Sequence, residues 1–339
     1  MKILVTGAAG FIGYHTIDKL LSGKRNLVVG VDSLNNYYDR KLKVERIKNL
    51  KKRYKKSIIF KKLDLCEKRK VFNLFKKHKF ESVINLAAQA GVRYSLKNPD
   101  AYFQSNLLAF FNIIEASRKY KIKHLISAST SSVYGANKNI PFSVKDLADH
   151  PIQFYAATKR SNEILAHSYS HLFNLPVTLL RFFTVYGPWG RPDMSLFIFV
   201  KNILQNKPIN VYNFGKHSRD FTYVDDIVNG IIKVITKIPK KNKKWDRRKL
   251  DVSTSMAPFK ILNLGNGKRI SLLKYIRIIE KNLDKKAIIK FTKMQRGDIQ
   301  DTLADIKETQ KYINFKPKTS LHDGIARFVK WFIDYYQYK

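Results

Sequence analysis

The chain has 339 residues, 44% of them hydrophobic, enough to bury a sizeable core as one large domain or two closely joined ones. Its one cysteine, Cys66, excludes an internal disulfide framework and reads as a small buried hydrophobe, and no apolar run is long enough to span a bilayer. The net charge of +39 is spread along the whole sequence, with local concentrations at residues 51–56 and 237–249 but no nucleic-acid-binding motif. With no leader ahead of the first strand, the expectation is a soluble cytoplasmic protein with neither nucleic acid nor membrane as partner. Its positive field would gather small anionic ligands.

In chain order, the apolar run Ile3-Leu4-Val5 predicts a strand, and Thr6-Gly7-Ala8-Ala9-Gly10-Phe11-Ile12-Gly13 then opens an amphipathic stretch ending near Leu21. Glycines so spaced between strand and helix allow a tight turn and let a pyrophosphate approach main-chain N–H groups. They also let the helix sit close, its positive end toward the phosphates. Residues 27–31 form a second apolar run that ends in Asp32. A carboxylate there accepts hydrogen bonds from an adenosine ribose and repels a 2′-phosphate, which favours NAD over NADP. Taken singly, the two features also read as a glycine-rich connection and a turn aspartate.

Residues 57–60, 82–86, 124–127 and 176–180 are further short apolar runs separated by helical stretches. The alternation predicts an α/β fold: a Rossmann-type doubly wound parallel sheet with a smaller C-terminal substrate-binding lobe. Asp32, Asp64, Ala87 and Ser129 fall at the C-terminal ends of strands, facing the crevice where ligands of such sheets bind. From about Gly187 the pattern loosens. The expected division is an NAD-binding domain over residues 1–186 and a mainly substrate-binding lobe over 187–339, with some segments returning to the first. Residues 237–249 read as a surface loop or insertion, and 321–336 as a helix whose aromatic face packs in the core. No metal site is expected.

Tyr155-Ala156-Ala157-Thr158-Lys159 sets a phenol and an ammonium one helical turn apart. A neighbouring cation and the positive charge of a nicotinamide would lower the phenol pKa toward a value useful for proton abstraction. Thr130, at a strand end, can offer a hydroxyl to the same substrate oxygen, or simply cap a loop. In a chain with 18 tyrosines a Tyr-x-x-x-Lys pair alone says little.

Together, the glycine turn, the acidic residue, the threonine and the Tyr-x-x-x-Lys pair resemble the extended short-chain dehydrogenases/reductases. Four longer stretches narrow the resemblance: Asn35-Asn36-Tyr37-Tyr38-Asp39, residues 85–93 (NLAAQAGVR), residues 181–194 (RFFTVYGPWGRPDM) and Arg219-Asp220-Phe221-Thr222-Tyr223. They look like those of bacterial UDP-glucuronate 4-epimerases. Related nucleotide-sugar 4,6-dehydratases carry an Asp-Glu pair after the threonine, and UDP-glucuronate decarboxylases a glutamate at the second position. Here those places hold Ser131 and Ser132, which removes the acid and base that dehydration needs.

What the resemblance implies is a catalytic set of Thr130, Tyr155 and Lys159 working with a tightly held NAD through a 4-keto intermediate. It implies cofactor contacts from Gly7, Gly10, Phe11, Ile12, Gly13, Asp32, Asp64, Leu65, Ala87 and Lys159. Substrate contacts are implied for Arg93, Ser131, Ser132, Thr184, Arg191, Tyr212, Arg219 and Asp298. Thr130, the two serines, Thr184 and Arg191 would hold the uronate carboxylate, Arg219 the diphosphate, and Tyr212 and Asp298 the uridine. The plainer alternatives are a capping turn for Ser131 and Ser132, loop roles for Thr184 and Arg191, and a salt bridge from Arg219 to Asp220 or Asp225. Asn106 reads as an active-site asparagine or a helix-packing one. The expected activity is conversion of UDP-glucuronate to UDP-galacturonate for surface polysaccharide. An epimerase of neutral or N-acetylated UDP-hexoses is the alternative, and a noncatalytic nucleotide-sugar or nucleic-acid binder is the reading from another class. A homodimer is implied too, with Leu107, Leu108, Phe110, Phe111 and Ile114 as contact residues if they are not core.

Overall fold

A computed structural model describes residues 1–23, 26–246, 248 and 251–338; within the basic stretch 237–249, Arg247 and Lys249 lie outside the described residues. The described strands are β1 (Lys2–Thr6), β2 (Leu27–Asp32), β3 (Ile58–Lys62), β4 (Ser82–Asn85), β5 (His124–Thr130), β6 (Val177–Phe182), β7 (Thr184–Tyr186), β8 (Ile209–Tyr212), β9 (Ser218–Tyr223), β10 (Phe259–Leu264), β11 (Arg269–Ser271) and β12 (Ile289–Thr292). Seven make one sheet in the order β10-β6-β5-β4-β1-β2-β3. Every neighbouring pair is parallel. From β3 to β6 this is the doubly wound Rossmann order, which turns back on itself between β1 and β4 and leaves a crevice beyond the strand ends there.

Both faces of the sheet are covered, which is why its strands read as continuous apolar runs rather than alternating ones. Ile3 and Val5 face a core shared with the helices Phe11–Ser22 and Val224–Ile235; Leu4 faces the opposite core, with the helices Lys68–His78, Ala109–Lys119 and Phe154–Phe173. β10 was not foreseen as part of this sheet. It lies far along the chain, yet it pairs with β6 from Phe259↔Val177 to Leu264↔Phe182. Two smaller sheets, β11-β9-β7 and β12-β8, stand beyond the C-terminal edge. The helix Leu321–Tyr336 buries Phe328 and Phe332, and Trp331 and Tyr335 lie 5.4 Å and 5.1 Å from the Trp189 ring, so its aromatic face is core. Cys66 is half-buried, its thiol donating to the Gln104 carbonyl at 3.3 Å, and burial pushes that thiol up to about 12.

Candidate active site

The glycine turn is fixed by sterics inside the protein. Gly7 sits at φ +67°, and a Cβ there would lie 2.8 Å from the Ala87 nitrogen; a Cβ on Gly13 would lie 2.0 Å from the Gly7 carbonyl oxygen. Only bare backbone lets the end of β1, the loop after β4 and the helix Phe11–Ser22 close on one another, leaving that helix's first N–H groups without intrahelical partners. At the end of β2, Asp32 accepts from the Ala9 and Leu34 amides at 3.0 and 2.8 Å. A hydrogen-bonded row then crosses the strand ends: Thr6 Oγ1 donates to Asn85 Oδ1 at 2.6 Å, and Asn85 Nδ2 to Ser127 Oγ at 3.1 Å.

β5 delivers Thr130 to the same edge, where its hydroxyl accepts from the Ser132 amide at 3.2 Å and so caps the tight turn Ser131–Tyr134. The capping alternative is therefore realised, and the same hydroxyl also faces Tyr155. Tyr155 opens the helix Phe154–Phe173; Lys159 follows one turn later, 2% exposed, and Glu163 one turn after that, also buried. The expectation that Lys159 lowers the Tyr155 pKa needs correcting for the protein alone. Burial pushes the phenol up, and the groups opposing it are the Thr130 hydroxyl and the Arg191 charge. Lys159 is itself pulled down to about 8 by burial, with Glu163 opposing.

Glu163 and Arg181 were not foreseen as part of this machinery. Glu163 accepts from Ser129 Oγ at 2.6 Å, from Arg181 Nε and Nη2 at 2.9 and 2.8 Å, and from Arg160 Nη1 at 3.0 Å. Burial works to raise the Glu163 carboxyl, and the Arg181 guanidinium outweighs it, so the group is held below its usual range. The pair braces β5, β6 and the Tyr155 helix against one another directly beneath Thr130. The available signal was the helical spacing Tyr155, Lys159, Glu163.

All of the expected site residues line one cavity of about 930 Å³: the turn glycines with Phe11 and Ile12, Asp32, Asp64, Leu65 and Ala87, then Thr130, Ser131, Ser132, Tyr155, Lys159 and Thr184, and finally Arg93, Arg191, Tyr212, Arg219 and Asp298. Arg191 is already partnered: Nε and Nη2 donate to Asp193 at 3.0 and 2.5 Å, and the Tyr37 hydroxyl donates to Asp193 at 3.1 Å. Arg219 is not bridged to Asp220 or Asp225. Its Nη1 donates to the main-chain carbonyls of Ser218 and Gln300 at 2.9 and 2.7 Å. The Asp220 carboxyl is spent on the Asn266, Gly267 and Ala304 amides. Arg93 lies over the Tyr212 ring at 4.2 Å and donates to Asp298 at 3.0 Å. Asn106 pins the loop after β4, exchanging hydrogen bonds with the Gln89 main chain at 2.8 and 3.1 Å and donating to Thr158 at 3.0 Å. Among the described residues no cluster of three His, Cys, Asp or Glu side chains is placed to hold a metal ion, and no helix is long and apolar enough to cross a membrane.

Comparison with known proteins places this architecture. Residues 3–245 match the NAD dependent epimerase/dehydratase family. The chain is 48% identical to Protein CapI of Staphylococcus aureus, over 99% of this chain and 100% of the relative. It is 42% identical to a probable UDP-glucuronate 4-epimerase of Rhizobium meliloti, over 99% and 98% of the two chains. It is also similar to the crystal structure of the UDP-glucuronic acid 4-epimerase from Bacillus cereus in complex with UDP-glucuronic acid and NAD, with a TM-score of 0.88, 34% identity, and 99% and 100% of the two chains covered.

Proposed function

This chain belongs to the NAD-dependent epimerase/dehydratase family, and from that premise we propose that it is an NAD-dependent enzyme interconverting UDP-glucuronate and UDP-galacturonate at C4. One observation carries the reading. Thr130, Tyr155 and Lys159 share a cavity with Ser131, Ser132, Thr184 and Arg191, so the two serine hydroxyls stand where an eliminating relative would need acids, with Thr184 and Arg191 lining the same space. The residues present suit the cofactor: the bare-backbone cradle at Gly7 and Gly13, with Gly10, Phe11 and Ile12, takes a pyrophosphate, and Asp32 takes a ribose. Asp64 and Leu65 flank the adenine side, Ala87 closes on the Gly7 turn, and Lys159 reaches the nicotinamide side. When bound there, NAD supplies a hydride acceptor and donor and a positive ring charge that favours a phenolate.

Tyr155 as phenolate takes the proton from the sugar O4, and Thr130 hydrogen-bonds the same oxygen as C4 becomes a ketone. The 4-keto uronate is a β-keto acid. It loses carbon dioxide when its carboxylate bond aligns with the carbonyl π system. Thr130, Ser131, Ser132, Thr184 and Arg191 hold the carboxylate out of that alignment, the Arg191–Asp193 pair leaving Nη1 for the substrate. Arg219, held by carbonyls rather than a carboxylate, meets the diphosphate; Arg93, Tyr212 and Asp298 close around the uridine. Rotation about the diphosphate then presents the other face of the ketone, and Tyr155 returns the proton.

In this reading residues 1–186 form the cofactor unit and 187–339 mainly the substrate lobe. The enzyme works in the cytoplasm, supplying polysaccharide synthesis. It does so as a homodimer joined through an apolar groove between the helical segment 103–119 and the helix Phe154–Phe173, lined by Phe103, Leu107, Leu108, Phe111, Ile164 and Leu165. Phe110 and Ile114, also considered as contact residues, are buried core instead. Incubating purified protein with UDP-glucuronate and following anomeric proton signals tests the activity. A galacturonate signal is expected; a pentose signal means decarboxylation, and silence with turnover of UDP-glucose or UDP-N-acetylglucosamine means a neutral-hexose epimerase.

A further inference from the structure

Arg46, on the helix Arg40–Tyr54, is completely buried, and among the described residues no carboxylate forms an ion pair with it. Its Nη1 donates to the Ala9 carbonyl and the Tyr38 hydroxyl, both at 2.8 Å, and its Nη2 to the carbonyls of Trp189 and Gly190 at 2.5 and 3.2 Å. Its Nε has no acceptor. A guanidinium taken out of water is costly unless it is paired, and here every hydrogen bond it makes goes to a neutral acceptor, the Asp32 carboxylate acting on it only through space.

The acceptors come from two places that matter. Ala9 lies inside the glycine turn, and its own amide donates to Asp32. Trp189 and Gly190 immediately precede Arg191, in a loop that needs outside support: Gly187 has φ +146° and Trp189 φ +60°. The preceding carbonyl, Pro188, is held at 2.9 Å by His15 Nε2, from the helix that follows the turn. Three consecutive carbonyls of the Arg191 loop are thus tied to the elements that make the cofactor turn. Only a planar fork can serve both ends at once; a lysine in this place would offer a single point.

We propose that Arg46 is a positioning residue that holds the glycine turn and the Arg191 loop in one geometry, so that the grip on NAD and the grip on the uronate carboxylate are set together. Its second half rests on the uronate reading above. The test uses the full chain and calorimetry, with Arg46→Lys made in the native and the Arg191→Ala backgrounds. NAD affinity is expected to fall about tenfold, the loss of good hydrogen bonds to a charged group. In NAD-loaded protein, affinity for UDP-glucuronate is expected to fall about tenfold relative to UDP in the native background, and to change less than about twofold once Arg191 is gone.

Equal losses for UDP-glucuronate and UDP, or a loss of the same size in the Arg191→Ala background, overturn the link to the loop. Unchanged NAD affinity overturns the link to the turn. Should Arg46→Lys fail to fold, Tyr38→Phe removes one acceptor and keeps the guanidinium; the same pattern at about threefold is expected, and no change rejects the proposal. Native protein that holds UDP-glucuronate no tighter than UDP would sink the uronate reading itself, and the NAD measurement then decides on Arg46 alone.

Discussion

At the scale of single residues, the proposed chemistry turns on one phenol and one ammonium in a site that disfavours both charges. Replacing Tyr155 by Phe removes the hydroxyl proposed as proton acceptor and leaves the ring's edge contact with Tyr102, whose centroid lies 6.0 Å away. We expect kcat to fall about a hundred- to ten-thousand-fold while the Kd of UDP-glucuronate moves little, as stopped assays and calorimetry would show. Retained turnover would remove Tyr155 from the mechanism. Lys159 carries a pH signature. Burial lowers its pKa from 10.5 to about 8, so between those values the unfolded chain binds a proton that the folded chain does not. Stability contributed through this group therefore rises with pH across that window, by at most about 1.4 kcal/mol per pH unit. Urea unfolding at pH 8, 9 and 10 should show Lys159→Met with a flatter stability profile than the native protein; parallel profiles would place the ammonium in water.

Elements bring these residues together, and here sequence and structure part company in an instructive way. The glycine turn was legible because its requirement is local: strand, turn and helix are contiguous, and the clash that forbids a side chain at Gly13 comes from a carbonyl six residues away. Gly13→Ala is expected to destabilise the fold by about 1–3 kcal/mol and to weaken NAD binding, measured by denaturant unfolding and titration. Unchanged values for both would mean the helix can retreat freely. Tyr155 and Lys159 were legible for the same reason, lying on one turn. Glu163 carried only the faint cue of sharing that face, and its partner Arg181 comes from β6, so the ion pair exists only once the sheet has formed. β10 was missed likewise, since nothing local says which strand an apolar run will join. Because both Glu163 and Arg181 are sealed from solvent, Glu163→Gln should cost about 3–5 kcal/mol. The same change at Glu115, in a more exposed pair with Arg118, should cost less than about 1 kcal/mol. Similar losses at the two sites in urea unfolding would refute the distinction.

Across the whole molecule, the charge of +39 sets copies of the chain repelling one another, so any self-association has to be won by apolar surface and should strengthen as salt screens the field. The groove between the helical segment 103–119 and the helix Phe154–Phe173 offers that surface: Phe103 is 52% and Ile164 57% exposed, with Leu108 and Phe111 beside them, whereas Phe110 and Ile114 on the same stretch are spent on the core. In the proposed dimer these large apolar side chains on an exposed face would be the contact surface, a two-fold pairing laying the same groove against itself. A buried carboxylate at its centre would have no partner in such a pairing. Sedimentation equilibrium should therefore find a dimer for the native chain, tighter at 0.5 M than at about 0.05 M salt, and a monomer for Ile164→Glu with its melting temperature retained. A dimer that survives the substitution puts the contact elsewhere, and a native monomer removes it altogether.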